Sequence, residues 1–320
     1  MHLQSTIRCN HFIWACFVMM LPLPATSTLS AQQTTPRHEW DGIPIPAEAG
    51  MGKRWVLQEH VSDDFTYEAP PNDKGRRFAK RWADSYHNAW TGPGRTLWNP
   101  ANVVVANGNL EISASRAPDS EKIHLGCVTS KQRVTYPLFV ETRAKVSNSV
   151  LACAVWLLSP DDTQEIDILE AYGASFSQAT GKDQEYFAKR MHLSHHVFVR
   201  QPFQDYQPTD PGSWHQDGTL WRESFRRVGV FWRDPWNLEY FIDGKLVRTV
   251  SGREMIDPKG FTQGAGLNKA MDIIINAEDQ TWRTERGLTP THEELRRKQD
   301  HVFKVDWIRV YKPYAAGEQK

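Results

Sequence analysis

Cysteine is scarce in this 320-residue chain: the four present are Cys9, Cys16, Cys127 and Cys153. So few exclude a disulfide-stapled scaffold, and no Cys-x-x-Cys pair offers a thiolate metal site. Neither sign of charge is in surplus, since Lys+Arg and Asp+Glu both total 38. Nucleic acid and acidic lipid are therefore not the expected partners. Long hydrophobic runs are missing apart from residues 12–23, FIWACFVMMLPL. Internal repeats and low-complexity tracts are absent, and no Pro/Ser/Gly linker interrupts residues 55–312. These gaps leave one large domain, with 40% hydrophobic residues to build its core. Tryptophan is the residue in excess, at 13. Its broad apolar face with one N–H donor serves sugar platforms and large β-sheet cores equally well.

The apolar run 12–23 follows Arg8 and precedes small polar residues up to Ser30 and Ala31. A positive start, a short apolar middle and a small-residue end predict a secretory signal over residues 1–31. The run falls short of the ~20 apolar residues of a membrane span. The mature protein is then expected to be exported (extracellular or periplasmic), with no membrane partner. Cleavage would also remove Cys9 and Cys16. Cys127 and Cys153 remain, as a bridge or as two buried thiols.

From Trp55 onward short β-branched and aromatic runs alternate with turns. Asn107-Gly108 and Asp243-Gly244 each stand between apolar runs, the strongest short hairpin signal. Further strands are expected over 138–146, 153–158, 190–199, 225–232, 271–276 and 302–311. One helix start is legible, the capping box of Thr291 and Glu294. The pattern predicts an all-β sandwich of ten or so strands. Four segments follow: the signal 1–31, a loosely packed arm 32–54, a domain 55–312 and a tail 313–320.

The segment CAVWLLSPDDTQEIDILEAYG, residues 153–173, carries Glu165, Asp167 and Glu170. Side chains at i and i+2 of a strand share a face, so Glu165 and Asp167 point together. Glu170 is out of phase by one, and a single β-bulge would return it to that face. Three carboxylates on one face of an apolar strand repel one another unless one is protonated or they perform chemistry. Acetal hydrolysis needs one carboxylate to attack and one carboxyl to give its proton to the leaving oxygen. A polar strand face in water, or acids ligating calcium, are the alternatives.

EIDILEAYG resembles the bulged signature of glycoside hydrolase family 16, whose members are β-jelly-roll sandwiches with a concave substrate groove. HLSHHVFVRQPFQDYQPTD, VGVFWRDPWNLEYFIDGKLVRTVSG, MDIIINAEDQTW and VDWIRVYKP resemble that family's β-agarase branch. The resemblance spans roughly residues 55–312. It implies Glu165 as nucleophile, Asp167 as its assistant and Glu170 as acid/base, with the two glutamate carboxyls about 5–5.5 Å apart for a retaining mechanism. It implies an endo-acting cut of β-1,4 bonds in agarose, with no cofactor for catalysis. It also implies a structural calcium at Gly108 and Asp306.

Around the acids, Trp90, Trp98 and Trp156 are the platform candidates, each equally explicable as core. Trp232, Trp236 and Trp307 sit in tighter apolar alternation and are expected inside. In RMHLSHH, alternation puts Arg190, His192 and Ser194 on one face. Arg190 and His192 would meet sugar hydroxyls if that strand neighbours the acids. The same alternation splits His192, His195 and His196 between faces, which argues against zinc. Glu278 and Asp279 end a strand and are further substrate-binding candidates, or else an ordinary turn. A monomer is expected. The rival readings are a β-porphyranase, which accepts sulfated agar, and a non-catalytic sugar-binding module on the same fold.

Overall fold

The computed structural model describes residues 37–318, so the expected signal and residues 32–36 lie outside the described residues. The described chain is a sandwich of a ten-stranded and an eight-stranded sheet. The eight-stranded sheet runs in the order Phe203–Tyr206, Met191–Arg200, Gln164–Tyr172, Ala152–Leu158, Asp272–Glu278, Cys127–Ser130 and Trp82–Ala83. Trp214–His215 pairs off that path with Met191–Arg200. We call Gln164–Tyr172 the acid strand and Met191–Arg200 the histidine strand.

Alternation sorts every central strand into two faces. In Ala152–Leu158, Cys153, Val155 and Leu157 enter the inter-sheet core, whereas Ala154, Trp156 and Leu158 join a second cluster with Tyr86 and Cys127 on the far face. The six further strands expected from sequence all form, with ends shifted by up to two residues except in the last, which runs four residues further to Ala315. Both hairpin turns form as well, and Asn107, Gly108, Asp243 and Gly244 all have positive φ. Gly173, just past the acid strand, is required by packing: a Cβ there would lie 1.8 Å from the Ser147 carbonyl oxygen. Trp232 and Trp307 are buried, as expected.

Cys127 and Cys153 are free and buried. The strand Asp272–Glu278 lies between theirs, and the two thiols sit on opposite faces of the sheet. Two inter-strand spacings separate their backbones by about 10 Å, beyond the reach of a disulfide.

Three expectations are corrected here. The capping box at Thr291 opens His292–Arg296, but Gly75–Ala79, Glu185–Ala188, Arg253–Ile256 and Thr281–Thr284 are also helical. These are single turns of four or five residues with no side-chain cap, so they left no sequence signature. The arm is not loose. Trp40 is fully buried, stacked on His38 and edge-on to Trp307. Ile45 and Ala47 cover Phe139, Phe231 and Phe241 on the outer face of the ten-stranded sheet. The tail is not separate either, since Lys53–Leu57 pairs with Tyr311–Ala315 inside the final strand. The domain therefore runs through both boundaries drawn from sequence.

Arg309 anchors the arm from within. Its Nε donates to Glu141 Oε2 at 2.7 Å, and its Nη1 and Nη2 donate to the carbonyls of Ile43 (2.8 Å) and Pro44 (3.1 Å). Neither Arg309 nor Glu141 is exposed at all.

Candidate active site

The acid strand pairs with the histidine strand in register up to Asp167↔Ser194 and resumes at Glu170↔His192, with a bulge between. Ile168 and Leu169 both enter the core across this step. Glu165, Asp167 and Glu170 consequently share one face, and Tyr172 follows two residues on. All four line a cavity of about 700 Å³ on the outer face of the eight-stranded sheet. Trp156, His192, His196, Asp205, Trp214, Glu278, Gln280 and Trp282 complete its chemically active wall.

Glu170 is the most heavily held acid. His192 Nδ1 lies 2.7 Å from its Oε2, while the Tyr172 hydroxyl and Gln280 Nε2 each donate to Oε1 at 2.7 Å. Trp282 Nε1 donates to Gln280 Oε1 at 2.8 Å, and His192 stacks on Trp214 at 4.2 Å. Burial works to raise the Glu170 pKa, but His192 and the two neutral donors outweigh it and bring it down to about 2. Glu165 and Asp167 move the other way. Burial raises both, and the mutual repulsion of two adjacent carboxylates adds to this for Glu165. Burial and repulsion thus favour the protonated form within the Glu165–Asp167 pair, whereas the partners of Glu170 favour its ionised form.

His196 faces the same pair. Its Nε2 lies 3.9 Å from Glu165 Oε1 and 3.7 Å from Asp167 Oδ2, and its Nδ1 lies 2.8 Å from Asp205 Oδ1. Burial opposes its charge, yet the surrounding carboxylates raise its pKa to about 10. Glu278 receives Asn276 Nδ2 at 2.9 Å, and Asn276 in turn accepts from Trp156 Nε1 at 2.7 Å. Burial first, then the charge of Glu170, push Glu278 up to about 7.

Not every expected site residue faces this cavity. Trp156, His192 and Glu278 do. Trp90, 45% exposed, lines an adjoining cavity of about 270 Å³ with Tyr86, Trp156, Phe198, Arg200 and Glu165. Trp98 lies behind Tyr86 in a shallow side depression with Trp90. Arg190 turns away: its Nη1 donates to the Tyr186 carbonyl and its guanidinium covers the Tyr186 ring. It precedes the histidine strand, which begins at Met191, so the alternation assumed for it does not apply. Asp279 is buried, and its Oδ2 accepts from Thr284 and Thr289 at 2.9 and 2.7 Å, which makes it a loop anchor.

Asp306, expected with Gly108 to hold a structural calcium, has a side-chain partner of its own. The Asp306 carboxylate is taken by the Arg143 guanidinium, whereas calcium collects six to eight oxygens. The only His/Cys/Asp/Glu cluster of metal-holding geometry among the described residues is Glu165, Asp167 and His196. The three-histidine zinc idea fails as expected, since His195 points to the Ile256 carbonyl (2.9 Å) and its imidazole is pushed down to about 3, chiefly by burial.

Sequence reasoning passed over Tyr172, His196, Asp205, Trp214, Gln280 and Trp282. Alternation could have found two of them, because Tyr172 follows Glu170 by two residues and His196 follows His192 by four. The others come from elements distant in sequence: Asp205 from Phe203–Tyr206, Trp214 from Trp214–His215, and Gln280 and Trp282 from the N-cap and first turn of Thr281–Thr284. His87 was missed as well. Its Nε2 and Nδ1 lie 2.8 and 3.1 Å from Asp162 and Asp272, so the ring clamps the loop carrying Tyr86 and Trp90 to the turn before the acid strand and to the start of Asp272–Glu278.

With this geometry in place, residues 55–313 match the family described as Beta-porphyranase A-D, GH16 domain. The chain is 56% identical to Beta-agarase B of Zobellia galactanivorans over 302 residues, covering 89% of this chain and 85% of that one. It is 54% identical to a Beta-agarase of Phocaeicola plebeius over 290 residues, covering 86% and 90%. The solved structure of inactivated mutant β-agarase B in complex with agaro-octaose superposes with a TM-score of 0.85 at 56% identity, covering 87% of this chain and all of that one. Identity to Beta-porphyranase D of Zobellia galactanivorans is 22%, covering 83% of this chain and 63% of that one. The all-β jelly-roll sandwich expected from sequence is the fold shared with these structures.

Proposed function

The chain belongs to glycoside hydrolase family 16, and from that premise we propose that it is a secreted, endo-acting, retaining β-agarase. The observation that carries the reading is the bulge that brings Glu165, Asp167 and Glu170 onto one wall of a groove. Glu165 attacks the anomeric carbon while Glu170 protonates the leaving glycosidic oxygen. Water, deprotonated by Glu170, then releases the glycosyl-enzyme with its configuration retained. Trp156 offers a flat face for a sugar ring, and its N–H is already committed to Asn276.

The surroundings of Glu170 serve both halves of this cycle. Tyr172 has one hydroxyl proton and two acceptors in reach, Glu170 Oε1 and Gln280 Oε1. Turned toward Gln280, it leaves a lone pair to accept from a protonated Glu170, and His192 does likewise in the tautomer with a bare Nδ1. The ionised Glu170 of the protein alone is the form needed to deprotonate water. The attack step needs the protonated form, which the accepting orientations of Tyr172 and His192 would hold.

Agarose is favoured over sulfated agar by the lining. Five carboxylates face the main cavity, those of Glu165, Asp167, Glu170, Asp205 and Glu278, and neither lysine nor arginine is among its described lining residues. A sulfate ester entering there meets five carboxylates, and the one imidazolium on the wall, His196, already faces three of them. Arg200 lines only the smaller adjoining cavity. Incubated separately with agarose and porphyran, the protein is expected to release even-numbered neutral oligosaccharides from agarose, with turnover on porphyran lower by at least about tenfold, the equivalent of ~1.4 kcal/mol. Reducing-end assays and product masses check this. Sulfated fragments from porphyran alone would overturn the substrate while keeping the acids.

A further inference from the structure

The geometry points to Asp205 as a positioning residue that acts through His196 to keep the Glu165–Asp167 pair competent for attack. The inference rests on Glu165 being the nucleophile. His196 stands in register opposite Glu165 across the two strands. Its Nδ1 is held by Asp205 Oδ1 at 2.8 Å, and its Nε2 looks at Glu165 Oε1 and Asp167 Oδ2 from 3.9 and 3.7 Å. Each ring nitrogen therefore faces carboxylate oxygen, and only the imidazolium offers an N–H to both sides. Phe198, two residues along the same strand, lies parallel to the ring at 5.2 Å and limits its tilt. Asp205 reaches His196 from the neighbouring strand Phe203–Tyr206, which pairs with the histidine strand.

Two adjacent buried carboxylates resist double ionisation, and Glu165 can attack only when it is ionised. A fixed cation beside the pair offsets that repulsion. Asp167 Oδ2 is buried with no hydrogen-bond partner, so the facing imidazolium supplies much of the compensation available to it within the protein. The charged groups facing His196 are Glu165 and Asp167 from the acid strand and Asp205 from the edge strand. With Asp205 neutralised, the imidazolium loses one of its three carboxylates and gives up its proton at lower pH. With its Nδ1 held less firmly by the neutral side chain, the ring also turns its Nε2 less fully toward the pair, and Glu165 then keeps its own proton to higher pH.

The test is the pH profile of kcat/KM on agarose oligosaccharides, which reports ionisations of the free enzyme. Asp205→Asn keeps an acceptor for Nδ1 but removes the charge. Its acidic limb is expected to move up by at least about one pH unit, a tenfold loss of rate on that limb. KM at the optimum is expected to stay within about twofold, since substrate contacts are not the cause. His196→Gln should show the same shift, the double variant no further shift, and Asp205→Glu a limb near the parent's. An unmoved limb in both Asp205→Asn and His196→Gln overturns the inference. So does a raised KM with an unchanged profile, which would make Asp205 a sugar contact. If Asp205→Asn does not fold, His196→Gln against Asp205→Glu decides in the same way. Glu165→Gln run in parallel separates the two failures, because an active Glu165→Gln removes the underlying reading itself.

Discussion

Glu165→Gln is expected to lower kcat on agarose by at least about 10⁴-fold, the scale on which removal of a covalent nucleophile is felt. The amide cannot form the glycosyl-enzyme, and nothing else on the groove wall is placed to replace it. Asp167 is two residues away on the same face, but it is buried with one oxygen unpartnered. Glu170→Gln should cost about 10²–10⁴-fold, the range of a lost general acid. The two losses are told apart by substrate. A glycoside with a good leaving group needs no proton, so it restores the first step in Glu170→Gln but not in Glu165→Gln. Steady-state rates on agarose and on such a glycoside, with circular dichroism to confirm folding, are the measurements. Either variant keeping more than a tenth of the parent turnover on agarose would remove the assignment.

The second large effect concerns stability. Arg309→Ala is expected to destabilise the fold by about 3–5 kcal/mol, the cost of leaving a buried charge without its partner. Glu141 would remain inside with one cation, Arg227 at 3.5 Å, where it now has two. The carbonyls of Ile43 and Pro44 would lose their donors as well. Those carbonyls belong to the segment that covers Phe139, Phe231 and Phe241, so the arm should loosen before the sandwich melts. Urea unfolding gives the free-energy change, and hydrogen exchange over residues 39–50 gives the order of events. A variant with an unchanged midpoint would show that water replaces the guanidinium at no cost.

The catalytic wall was legible in sequence to the extent that its chemistry lies on one strand. Period-two alternation fixes which side chains share a face, and the mismatch at Glu170 required a bulge, which the structure contains. The hairpins were legible for the same local reason, since Asn-Gly and Asp-Gly meet the φ demands of the turn by themselves. Long-range partners left no such trace. Gln280 reaches Glu170 from 110 residues away, and Asp205 is a partner of His196 only because the edge strand folds back beside it. Asp279 misled because a polar run at a strand end reads as exposed, whereas two threonines from the following segment enclose it. Arg190 misled through a boundary: it sits one residue before the strand whose alternation was applied to it.

The pairing of Lys53–Leu57 with Tyr311–Ala315 sets where anything joined to this domain must hang. Lys53 and Ala315 lie side by side on the ten-stranded sheet, while the groove opens on the far face of the other sheet. A carrier domain, an immobilising linker or an affinity tag joined beyond Ala315 therefore starts from the side away from the groove. A polysaccharide far longer than the groove still passes through from both directions without meeting it.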